Sequence, residues 1–193
     1  FTAPDKMVTF RSGVGENPED VKKRILSIFE NVKHKYREVI DVNDEITLDA
    51  NSIVYLVGEL QNYCLIEADR DVIADAFETF IDHALKGGQG QFFTPRNVIK
   101  MIIEILDPTE DDFIIDPSCG SGGFLVETLR YIWNKIEKQG QLYGWSSEEI
   151  KEEKMEVAIN KICGIDKDYF LSKVAKAYMA ILGDGKGGLF CED

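Results

Sequence analysis

Apolar residues recur over the first 88 positions at three- and four-residue spacing, and from Gly90 onward they gather in short runs bounded by acids and glycines. The first pattern is one face of a helix; the second is that of short buried strands alternating with helices. Val21, Ile25, Ile28, Phe29, Val32, Tyr36 and Val39 predict an amphipathic helix over 17–40. It opens with Asn17 as cap, Pro18 in the first turn, and Glu19 and Asp20 against the positive end of the helix dipole. A second helix is predicted over 52–63. A third runs from Asp71 through Val72, Ile73, Ala76, Phe77, Phe80, Ile81 and Ala84 to Leu85, and Gly87 and Gly88 stop it. Residues 1–16 have no sustained period and read as an irregular lead-in.

Beyond Gly90, Thr94-Pro95 caps a helix whose stripe is Val98, Met101, Ile102, Ile105 and Leu106. Apolar runs at 112–116, 162–166 and 188–191 predict three strands, the first of them buried. Helices are predicted over about 122–137, 147–160 and 168–182, with 139–146 as a loop. Strands alternating with helices imply a parallel α/β sheet with right-handed crossovers. The division that follows is a lead-in over 1–16, a helical region over 17–88 and an α/β region over 89–193. Three strands make an incomplete layer, which predicts that the chain is part of a longer protein.

Composition narrows the function. The net charge is −13, from 22 basic and 35 acidic residues, and the basic ones are scattered. A free-standing protein that grips nucleic acid through a broad basic face needs its Lys and Arg clustered. DNA as a substrate stays open, because a partner can supply that groove. No apolar stretch is long enough for a membrane span, and the N-terminus lacks the pattern of a secretory signal. The four cysteines form no Cys-x-x-Cys pair, so neither a disulfide framework nor a zinc site is indicated. The chain reads as cytosolic, with no metal and no membrane partner.

Three constellations carry candidate chemistry. The first is Asp116-Pro117-Ser118-Cys119-Gly120-Ser121-Gly122-Gly123, at the end of the first strand and the start of a helix. Open parallel sheets bind ligands at the carboxyl ends of their strands, and glycines let a ligand approach the backbone. An acid at the strand tip suits a ligand bearing an amine and repels a pyrophosphate. The glycine spacing is also not that of a dinucleotide fingerprint. The second is Gly164-Ile165-Asp166, where the acid either accepts ribose hydroxyls or simply caps the following turn. The third is Gly90-Gln91-Phe92-Phe93-Thr94-Pro95-Arg96, which by itself reads as a helix start with two aromatics ahead of it.

Together, Gly-Gln-Phe-Phe-Thr-Pro-Arg and Asp-Pro-Ser-Cys-Gly-Ser-Gly-Gly-Phe resemble the modification (methyltransferase) subunit of type I restriction–modification systems. These are N6-adenine DNA methyltransferases that use S-adenosylmethionine. Asp71-Val72-Ile73-Ala74-Asp75-Ala76-Phe77-Glu78 is similar to the helix ahead of the first motif in that family, so the resemblance covers about 20–193. It implies a partial Rossmann-like α/β methyltransferase sheet preceded by an α-helical N-terminal domain. It implies that Phe93, Thr94 and Pro95 pack on the methionine end of the cofactor. Asp116, Pro117, Gly120, Ser121, Gly122 and Gly123 would form the cofactor loop, with Asp116 near the amino group. Asp166 would hold the ribose, and Asp193 would lie near the adenine ring. The implied partners are DNA, a specificity subunit met by the N-terminal helices, and a restriction subunit.

One departure limits the reading. The family's catalytic Asn-Pro-Pro-aromatic motif, which would hold the base flipped out of the duplex, is missing; Asn17-Pro18-Glu19 lies on a helix cap ahead of the sheet. The chain is therefore expected to bind cofactor and not to methylate by itself. Two other readings stand beside it: a binding module of methyltransferase-like fold, and a nucleotide-dependent oxidoreductase disfavoured by Asp116. His34 and His83 have no ligand-spaced neighbours. Cys119, near a helix start that would lower its pKa, lacks an indicated base and reads as packing. Tyr131, Trp133 and Trp145 read as core or loop anchors, and 148–156 as a solvated helix face.

Overall fold

The structure, a computed structural model, describes residues 8–37, 39–63, 79, 94–182 and 188–192. The chain divides into two compact units, Phe1–Asp69 and Arg70–Asp193. Among the described residues no helix is long and apolar enough to cross a membrane.

The first unit is a helix pair. Helix α1, Pro18–Lys35, begins as its sequence predicts, with Asn17 accepting from Glu19 N–H. It ends five residues before the predicted limit, because Lys33 Nζ donates to the carbonyls of Val42 and Asp44 and the chain turns back along the helix. Helix α2, Ala50–Leu60, starts two residues earlier than predicted: the Asp49 carboxylate accepts from the N–H groups of Asn51 and Ser52 and from the Ser52 hydroxyl. Val21 and Ile25 meet Ile53 and Val57 in a small core. The lead-in from 8 to 16 is irregular and is tied to α1 by Arg24, whose guanidinium donates to Thr9 O, Arg11 O and the Glu16 carboxylate.

In the second unit, helix α3 is Arg96–Leu106, strand β1 Ile114–Asp116, helix α4 Gly123–Tyr143 and helix α5 Ser147–Asn160. Strand β2 (Ile162–Asp166), helix α6 (Tyr169–Leu182) and strand β3 (Gly188–Cys191) follow. The strands pair in parallel in the order β1-β2-β3, with Ile114 opposite Ile162 and Cys163 opposite Gly188. Leu125, Leu129, Ile132, Ile136, Val157, Met179 and Leu182 form the core with Ile162 and Leu189. Strands β2 and β3 have the predicted limits. The helix predicted from Asp71 to Leu85 lies outside the described residues, apart from the helical Thr79.

Four expectations are corrected. Strand β1 begins at Ile114 because Asp112 is drawn into a turn by Thr109, whose N–H and hydroxyl both donate to it. The strand is also not buried: Ile115 is 63% exposed. Helix α3 buries Ile99 and Ile103, while Met101, Ile105 and Leu106 of the predicted stripe are exposed. Helix α4 continues through the predicted loop to Tyr143, because Gly140 is not a stop. A Cβ there would lie 2.5 Å from Ile150 Cγ1, so its missing side chain lets α5 pack close, and the helix ends at Gly144, φ +72°. Ser146 then caps α5 through a reciprocal bond with Glu149.

Candidate functional site

Asp116 and Asp166 are the last residues of adjacent parallel strands, so both stand at the carboxyl end of the sheet. The loop between β1 and α4 is held by its backbone N–H groups, which donate to two carbonyls and two carboxylates. Asp116 Oδ1 accepts from Ser118 N–H at 3.0 Å, Cys119 N–H donates to Ile165 O, and Gly122 N–H donates to Cys119 O. Gly120 N–H donates to Asp166 Oδ2 at 2.8 Å, which ties the loop to the tip of β2. The other Asp166 oxygen accepts from Asp168 N–H at 2.8 Å. Asp166 is thus the turn cap that its position allowed, and it also braces the glycine loop. No described residue bonds Oδ2 of Asp116.

The glycines have reasons in the local geometry. Gly120 has φ +55° with open space where a Cβ would stand. Gly122, at φ +87°, combines that left-handed conformation with a close neighbour, since a Cβ would meet Ala175 Cβ at 3.3 Å. Gly123 admits Ile99 Cδ1, 3.3 Å from its Cβ position, and so seats α3 on the start of α4. Gly122 is the N-cap of α4 and carries no side chain to bond the first-turn N–H groups. Those groups therefore face the loop with the positive end of the helix dipole.

Cys119 is 7% exposed, and burial first, then the charges of Asp116 and Asp166, push its thiol up to about 12. The helix start does not lower it. Trp133 belongs to the core, with its indole N–H donating to Lys154 O, whereas Trp145 lies partly exposed in the turn after α4.

Thr94 and Pro95 lead directly into α3. Pro95 rather than Thr94 holds the N-cap position, and no side chain closes the first turn, so the predicted Thr94 cap does not form. Helix α3 runs beside α4 in the same direction: Ile99 touches Gly123, and Asp107 at the far end accepts from Tyr131 and Lys135. The start of α3 accordingly lies at the same end as the glycine loop. The structure brings together Asp116, Pro117, Gly120, Ser121, Gly122, Gly123 and Asp166, with Thr94 and Pro95 just ahead of the neighbouring helix. Phe93 and Asp193 lie outside the described residues.

Sequence reasoning missed one feature. Glu127, on α4, is buried and accepts from Arg96 Nε at 2.7 Å and Arg130 Nη1 at 3.0 Å. Its only sequence signal is an acid inside the apolar run Leu125-Val126-Glu127-Thr128-Leu129.

A parallel α/β sheet with acids on two neighbouring strand tips and a glycine turn between them has the place where open α/β sheets bind ligands, the carboxyl ends of the strands. Residues 68–178, more than half the chain, match the family model N-6 DNA Methylase, and the chain belongs to that family. It is 33% identical over 127 residues to the type I restriction enzyme MjaVIII methylase subunit of Methanocaldococcus jannaschii, covering 61% of this chain and 22% of that protein. It is 30% identical over 129 residues to the type I restriction enzyme EcoKI methylase subunit of Escherichia coli strain K12, covering 65% and 23%. The crystal structure of a modification subunit from Vibrio vulnificus YJ016 superposes with a TM-score of 0.53 at 23% identity, over 74% of this chain and 27% of that one. The chain thus spans under a quarter of the length of these curated relatives.

Proposed function

We propose that the chain carries the S-adenosylmethionine-binding part of a DNA adenine-N6 methyltransferase, the modification subunit of a restriction–modification system. The observation that carries this reading is the loop itself: two strand-tip acids bracket a glycine turn that opens onto an uncapped helix start. S-adenosylmethionine presents an ammonium, a carboxylate and a ribose diol, and the residues present suit all three. The Asp116 oxygen that no described residue bonds suits the ammonium, the first-turn N–H groups of α4 suit the carboxylate, and the remaining lone pairs of Asp166 suit the ribose hydroxyls. Pro117, Gly120, Ser121, Gly122 and Gly123 form the wall between them. Phe93, Thr94 and Pro95 are assigned to the methionine end and Asp193 to the adenine. When bound, the cofactor supplies an electrophilic methyl group on a sulfonium. What this chain's residues do is bind it and orient it; no residue here is assigned to hold the base.

The finer fold reading, a Rossmann-like sheet over 89–193 preceded by a helical region over 17–88, belongs to the same proposal. So do the partners: DNA as substrate, a specificity subunit met by the N-terminal helices, and a restriction subunit. The test is calorimetric titration of the chain with S-adenosylmethionine, repeated on Asp166→Ala. Saturable binding, weakened by about 1–3 kcal/mol in the variant, is the expected result. A titration that saturates with a nicotinamide dinucleotide but not with S-adenosylmethionine overturns the reading.

A further inference from the structure

Among the described residues, Glu127 is the only buried acid, 9% exposed, and three cations surround it. Arg96 Nε and Arg130 Nη1 share its Oε1, and Lys100 Nζ lies 3.9 Å from Oε2. Arg96 is the first residue of α3, directly after Thr94 and Pro95, where no side-chain cap fixes the helix start. The contact is one of a stacked pair. Gly123 and Glu127 are four apart on one face of α4, and Ile99 and Arg96 are three apart on the facing side of α3. This pair fixes the near end of α3, beside the glycine loop, as the bonds of Asp107 to Tyr131 and Lys135 fix its far end.

Stability alone gives no reason for a carboxylate at this place. Desolvating an ion is costly, and well-packed apolar residues commonly do as well as a buried ion cluster or better. What an ion cluster adds is register, because a slip of one residue along the axis, about 1.5 Å, moves the guanidinium off the carboxylate. We propose that Glu127 is a positioning residue that, through Arg96, fixes where Thr94 and Pro95 stand beside the glycine loop. This rests on the cofactor reading given above and deepens it: the two motifs form one site only while α3 keeps its register on α4.

The test compares Glu127→Gln and Arg96→Gln with a control, Val157→Ala, which opens the same core away from α3. Thermal melts give the stability of each full-chain variant. Titration with S-adenosylmethionine and hydrogen exchange at the Val98 and Ile99 amides, both bonded to Pro95 O, are then read where all are folded. The expected result is roughly tenfold weaker binding in both charge variants, equivalent to about 1.4 kcal/mol, with faster exchange at Val98 and Ile99. Val157→Ala should lose stability and keep both readouts, and Arg96→Lys, which keeps the charge, should recover part of the affinity. If Glu127→Gln does not fold, Arg96→Gln, whose side chain is partly exposed, carries the test. Unchanged binding and exchange in the charge variants overturns the proposal, as does an affinity that follows stability equally in Val157→Ala. A wild-type chain that binds no S-adenosylmethionine removes the cofactor reading and this proposal with it, and it does so before any variant is compared.

Discussion

Gly122 and Gly120 both sit at positive φ, yet they are constrained differently. An alanine at 120 meets only backbone strain, while one at 122 must also displace Ala175. Gly120→Ala should therefore cost about 1 kcal/mol and Gly122→Ala about 2–4 kcal/mol, the sum of strain and overpacking. Urea denaturation of the two variants checks the order, and equal losses would mean that α6 yields easily. At this scale the strand-tip positions of Asp116 and Asp166 were legible in the sequence, because each closes a short apolar run. Glu127 was not, since its principal partner Arg96 is remote in sequence and no local spacing announces a pair that forms only when two helices meet.

Among the elements, the lead-in is tied to α1 by Arg24, whose ion pair with Glu16 accompanies its bonds to Thr9 O and Arg11 O. Hydrogen bonds from the Arg24 guanidinium and then from Gly13 N–H hold the Glu16 carboxyl down to about 2, against an ordinary 4.5. A depressed carboxyl contributes stability above its unfolded value, and that contribution is lost as pH falls through the folded one. Wild type should thus lose stability relative to Glu16→Gln between about pH 4.5 and 2, and the two should run parallel above that window. Denaturation midpoints across the range, with the Glu16 side-chain carbon followed by NMR, read this directly.

Helix α4 provides the second element-scale prediction. Gly140→Ala improves helix propensity by about 1 kcal/mol, but its Cβ would stand 2.5 Å from Ile150 Cγ1. The net effect should be a loss of about 1–2 kcal/mol, and adding Ile150→Ala should recover the propensity gain at that contact. A double-mutant cycle by urea denaturation measures the coupling. The same glycine explains why α4 was read short. In sequence a glycine after a helical stripe is a stop, and only the arrival of α5 reveals it as a contact. Strands β2 and β3 were legible to the residue because an apolar run between polar neighbours admits few other limits. Strand β1 was misjudged where Thr109 captured Asp112.

For the whole molecule the governing quantity is the net charge of −13. S-adenosylmethionine carries one net positive charge at neutral pH, and its demethylated product carries none. Attraction by an acidic protein is screened by salt. Affinity for the cofactor should fall about two- to threefold between 50 mM and 0.5 M salt, while affinity for the product changes less. Titrations of both across that range distinguish this from a general salt effect on folding, which would weaken both alike. The charge was legible from composition alone. What composition leaves open is its placement: Arg96, Lys100 and Arg130 gather on one carboxylate, so a scattered distribution in sequence is locally concentrated in space.

The parallel pairing of β1 with β2 carries a consequence for how the chain acquires its shape. Ile114 meets Ile162 only after α4 and α5 have been spanned, so the first rung of the sheet closes a long loop before any contact offsets its entropy. Helices α1 and α2, by contrast, are joined by residues 36–49 and meet through contacts that span less chain than the β1–β2 pairing. Folding should therefore be uneven in time, with the helical pair assembling early and the sheet waiting on a distant encounter. The glycine turn between Asp116 and Gly123 takes its brace from Asp166 on the second strand, and so should complete its form only once that strand is in place. The candidate site should then form no earlier than the pairing of the first two strands and be lost when that pairing opens.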